Sequence, residues 1–105
     1  MPALPLVSLA ALTILDAGPA GQIRAAHAAG FTCVGLRLHP LLATDPKVAG
    51  TPLAEEVRTL MRETGLKLLE VGVFPIKPDL NVESLRPVLA LSSELGARFI
   101  VCPVE

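Results

Sequence analysis

Phe31–His39 reads F-T-C-V-G-L-R-L-H, and the reading of this stretch decides the fold. Apolar residues occupy both of its faces, as in a strand buried on both sides of a parallel sheet. Ala25–Gly30 before it reads as the end of a helix, and a long irregular segment follows it. Polar groups enter only at the C-terminal end, where Arg37 and His39 stand two residues apart and so share a face. In α/β folds the C-terminal ends of buried strands carry the functional side chains.

The same signature recurs on both sides. Ala29-Gly30-Phe31, Thr64-Gly65-Leu66 and Leu95-Gly96-Ala97 each join a helix to an apolar strand, with the glycines 35 and 31 residues apart (65 − 30 and 96 − 65). That spacing is one strand–helix unit. Strands are expected at Leu6–Leu15, Phe31–Leu38, Leu66–Phe74 and Arg98–Val104. Helices are expected from about Pro19 to Ala29, from Pro52 to about Thr64 behind a Thr51 N-cap, and in the segment ending at Gly96. In the first helix Ile23, Ala26 and His27 are expected to face the sheet. In the second, Leu53, Val57, Leu60 and Met61 form one apolar stripe, opposite a solvated face of Glu55, Glu56, Arg58, Arg62 and Glu63. The third helix has two candidate caps, Asn81 and Ser84. Pro87 is harmless only in a first turn, so a 3₁₀ turn or a kink is expected between them. The chain therefore reads β-α-β-α-β-α-β, with the strands in parallel and sequential order. Its strand-to-helix joints are the longer ones, and the longest, His39–Gly50, carries Pro40, Pro46 and Gly50.

Composition narrows the function classes. Of the 105 residues 51% are hydrophobic and only 3% aromatic, without Trp or Tyr, so the core is aliphatic and base stacking has no platform. A net charge of −1 without a basic cluster argues against nucleic-acid partners. The longest apolar run, Leu4–Leu15, is too short to span a bilayer and lacks a basic leader, so a cytoplasmic protein is expected, with no membrane partner. Cys33 and Cys102 read as reduced, buried thiols. On the second and fourth strands they would stand roughly 9–10 Å apart, beyond the reach of a disulfide.

Four segments carry a resemblance. S-L-A-A-L-T-I-L-D, A-A-H-A-A-G-F-T-C-V-G-L-R-L, T-P-L-A-E-E-V-R-T-L-M-R-E-T-G-L-K-L-L-E-V and L-S-S-E-L-G-A-R-F-I-V look like the N-terminal half of sugar phosphate isomerase/epimerase-like proteins, of the xylose-isomerase-like TIM-barrel superfamily. The resemblance covers about Val7 to Val104 and is most specific at A-G-F-x-x-V-G-L-R and L-G-A-R-F-I-V. It implies a partial (β/α)8 barrel, residues 1–105 forming a single partial domain, since a full barrel needs about 250 residues. It implies proton abstraction next to a carbonyl through a metal-stabilised enediolate, on a small sugar or keto acid. It also implies a divalent metal ion whose ligands lie mostly outside this chain, in the missing C-terminal half. The fragment alone is then inactive. The rival reading is a non-catalytic half-barrel that self-associates or docks to a second chain; a third is a small open-sheet binding domain.

Alternation selects the candidate site. Cys33, Gly35, Arg37 and His39 share one strand face, and Leu68, Glu70, Gly72 and Phe74 share one face of the next. An inward Arg37 beside an inward Glu70 is expected to form an ion pair, because a lone buried charge is costly. Arg37 can grip a substrate carboxylate or phosphate with its planar fork. His39 is the candidate for proton transfer or substrate hydrogen bonding. Glu70, Asp16 and Glu105 complete the candidate substrate contacts, with Asp16 also able to anchor the first helix through its dipole.

Overall fold

The apolar stretches become short strands. The structure, a computed structural model, describes residues 7–11, 13, 17–40 and 45–104. In order these are β1 (Ser8–Leu9), α1 (Gly18–Ala28), β2 (Cys33–Leu36), α2 (Pro52–Thr64), β3 (Lys67–Val71), a 3₁₀ turn (Val82–Leu85), α3 (Arg86–Glu94) and β4 (Phe99–Ile100). All strand pairs are parallel and the sheet order is β1-β2-β3-β4, as the repeated units predict. β2, β3 and β4 are shorter than the apolar runs that signal them, although pairing continues beyond β3 and β4; the first run, Leu6–Leu15, lies partly outside the described residues. Phe74 N–H donates to Val101 O at 2.9 Å, and Ile76 bridges Val104.

The joints follow their glycines. Gly30, Gly65 and Gly96 adopt φ of 85°, 70° and 78°, the left-handed conformation that ends a helix at least cost when the residue lacks a Cβ. The difficulty at Pro87 resolves as expected. Asn81 Oδ1 accepts from Glu83 N–H at 3.1 Å and caps the 3₁₀ turn, and α3 then starts afresh with Pro87 in its first turn. Thr51 precedes α2 with an extended backbone, but its hydroxyl does not cap. It donates back to the Lys47 and Val48 carbonyls and ties down the end of the preceding loop.

The core lies between the sheet and the helices. Val34, Leu36 and Leu38 from the β2 stretch meet Ile23 and Ala26 of α1, Val57 and Met61 of α2, and Val88 and Leu91 of α3. Fully burying such an aliphatic side chain contributes about 1.5–3 kcal/mol. His27 is exposed, and Gln22 takes the buried position beside Ile23, its amide donating to Ala11 O at 3.0 Å. Cys33 is buried as expected; Cys102 is exposed; both are free thiols.

Strict alternation fails in β3. The register pairs Val34 with Leu68 and Leu36 with Val71, with an irregularity between Val34 and Gly35. The extra residue rotates the strand, so Leu68 joins Val71 in the helix-side core instead of sharing a face with Glu70. Phe74, also expected on the Glu70 face, is buried in the same core. Among the described residues no helix is long and apolar enough to cross a membrane.

Candidate functional site

Sequential parallel strands send all their C-terminal ends to one edge, and a cleft of about 250 Å³ opens there. Each strand supplies a wall from the residues at or just past its end: Ala10 after β1, Arg37 after β2, Gly72 after β3 and Val101 after β4. Glu70 enters from within β3. Arg37 and Glu70 therefore line one cleft, as alternation predicts.

The expected ion pair between them does not form. Arg37 Nη1 donates instead to Asp45 Oδ2 at 3.3 Å, and the two side chains are only 9% and 8% exposed. Asp45 comes from the β2–α2 loop, whose neighbouring Val48 is fully buried, so the loop is packed down onto the fold. Arg37 Nε–H is buried with no partner, which is costly unless something supplies an acceptor. Glu70 is half-buried and lies across β2 at Gly35, where a Cβ would stand 2.7 Å from its Oε1. Only a glycine leaves room for that carboxylate, which has no hydrogen bond or ion pair among the described residues.

His39 is placed elsewhere. Its ring stacks on Phe74, centroids 5.4 Å apart at 22°, and it borders a separate groove with Lys47 and Ser84. The structure thus does not bring His39 together with Arg37 and Glu70. Asp16 and Glu105 lie outside the described residues. Sequence reasoning missed Asp45. It sits in an aperiodic loop eight residues from Arg37, and the only signal was the general need of a buried arginine for a carboxylate.

Chemically the cleft combines one arginine, whose Nε–H is buried beneath its wall, and one carboxylate acceptor with otherwise apolar lining. Arg37 Nε–H can donate to a carbonyl or hydroxyl oxygen, and Glu70 can accept from a hydroxyl. Among the described residues no three His, Cys, Asp or Glu side chains converge to hold a metal ion; the resemblance places the ligands of its divalent metal mostly outside this chain. Comparison of the chain with known protein families, with curated proteins and with solved structures finds no match.

Proposed function

We propose that this chain is the N-terminal half of a (β/α)8-barrel enzyme of the sugar phosphate isomerase/epimerase kind that it resembles, and that the Arg37–Glu70 cleft binds a small substrate carrying a carbonyl and a hydroxyl, a sugar or a keto acid. One observation carries the reading. Four successive parallel strands converge on a cleft at their C-terminal edge, and Arg37, whose buried Nε–H has no partner, and the unpaired Glu70 both line it. That is the edge where barrel enzymes bind substrate. In this reading Arg37 Nε–H holds the substrate carbonyl oxygen and Glu70 receives an adjacent hydroxyl, which fixes the carbonyl carbon and its hydroxyl-bearing neighbour. The base and any metal ligands come from the later strands of the barrel, so the 105-residue chain binds without turnover. Amide shifts of Gly35 and Gly72 in the labelled chain, titrated with dihydroxyacetone and with hydroxypyruvate, test it. Movement of both amides with at least one compound is expected. No movement with either at tens of millimolar would remove the reading.

A second reading, a half-barrel that acts by self-association, is favoured by the last strand. Phe99, Ile100 and Val101 are 59%, 46% and 41% exposed, an apolar edge that a partner would cover.

A further inference from the structure

We propose that Asp45 sets the charge preference of the cleft, so that its ligand is an uncharged hydroxyl–carbonyl compound and neither a phosphorylated sugar nor a keto acid. This rests on the reading of the cleft as a substrate site, and it narrows the substrate. Arg37 and Glu70 are the charged side chains that line the cleft among the described residues. Taken alone, the arginine invites an anion. Asp45 removes the invitation: it stands 3.3 Å from Nη1, and both partners are more than nine-tenths buried. The three groups then hold one positive and two negative formal charges, and the excess belongs to Glu70.

An anion entering this cleft meets a guanidinium already neutralised and a carboxylate that is not. Beside the half-buried Glu70 the repulsion between like charges is only partly screened. Taking Arg37 from Asp45 would not help, because it would break a pair in which both side chains are more than nine-tenths buried. A neutral compound meets neither obstacle. Its carbonyl oxygen accepts from the unpartnered Nε–H, its hydroxyl donates to Glu70, and no charge is added to the site. A volume of about 250 Å³ suits a compound of a few carbons, since pockets for drug-sized ligands run from about 300 to 1,000 Å³.

The test compares three probes on the isotope-labelled 105-residue chain, following the Gly35 and Gly72 amides. Dihydroxyacetone is expected to move both, and dihydroxyacetone phosphate and hydroxypyruvate to bind at least about tenfold more weakly. Glu70→Gln, which keeps the shape and leaves the buried pair intact, is expected to reduce that preference to near unity. Asp45→Asn is expected to favour the phosphorylated probe wherever its spectrum stays dispersed, and Glu70→Gln decides the matter should Asp45→Asn unfold. Equal or tighter binding of the anionic probes by the unaltered chain would overturn the charge preference and leave the cleft as a substrate site. An unchanged ratio in Glu70→Gln would overturn it too. No response to any of the three probes would overturn both the preference and the site.

Discussion

Arg37 brings a charge into a place nearly closed to water, and only Asp45 makes that tolerable. Replacing Arg37 by Met keeps most of the aliphatic stem but removes the guanidinium from the buried Asp45 carboxylate. Breaking one side of a buried pair costs about 3–5 kcal/mol, so the urea midpoint of Arg37→Met is expected to fall by a corresponding amount. Arg37→Met with Asp45→Leu is expected to recover much of the loss, because both charges of the buried pair are then removed together. A single-variant loss below about 1 kcal/mol, the size of an exposed pair, would show that the contact is a surface one. Gly35 makes the complementary case. An alanine there would place its Cβ 2.8 Å from Glu70 Cγ, so the carboxylate must swing out of the cleft. Gly35→Ala is expected to cost about 1–3 kcal/mol by overpacking and to abolish the amide response to dihydroxyacetone in a chain that still folds. At this scale the sequence was half legible. Period-two alternation placed Arg37 and Glu70 in one cleft. It misplaced Leu68 because a bulge has no composition signal, and it was silent on Asp45 because no periodicity governs a loop.

The elements were far more legible, because local chemistry punctuates them. Each helix ends on a glycine whose positive φ any other L-residue resists, and each glycine was visible as a joint before its geometry was known. Gly65 at φ 70°, with open space around its missing Cβ, is the cleanest test. Gly65→Ala meets no clash and still forces a left-handed backbone, so a loss of about 1–2 kcal/mol is expected from thermal or urea unfolding. A neutral result would mean that the α2–β3 joint relaxes freely. Asn81 and Pro87 likewise divided the third helical segment into a 3₁₀ turn and a helix as their chemistry requires. Between helices, Arg24 reaches Glu56 at 3.0 Å, and Arg58 bridges Glu55 and Glu94. These are exposed pairs that align α1, α2 and α3 while adding little stability. Strand lengths were overread for a related reason: an apolar run records burial, whereas ladder pairing requires a neighbour in register.

On the scale of the whole molecule, helices bury one face of the sheet, and the sequential order leaves β1 and β4 as its two edges. The β4 edge is the more exposed of the two problems. It presents Phe99 and Ile100 on a strand with one unpaired side, and Val104 further along is 80% exposed. Edges of soluble sheets ordinarily carry lysine, proline or a covering segment to block strand addition, and this one carries apolar residues up to Cys102-Pro103. Strand addition at β4 would give its N–H and C=O groups partners and remove the side chains from water in one step. The 105-residue chain is therefore expected to associate as its concentration rises, with a weight-average mass above 11.0 kDa in sedimentation at tens of micromolar. Phe99→Lys combined with Ile100→Lys places two charges on that edge without touching Arg37, Asp45 or Glu70. It is expected to return the mass to that of the single chain while the cleft amides still answer dihydroxyacetone. An unaltered chain that stays at 11.0 kDa up to hundreds of micromolar would sink the association reading. A double variant that stays monomeric but loses the dihydroxyacetone response would show that the cleft is completed across the β4 edge, making assembly and binding one property of the fold.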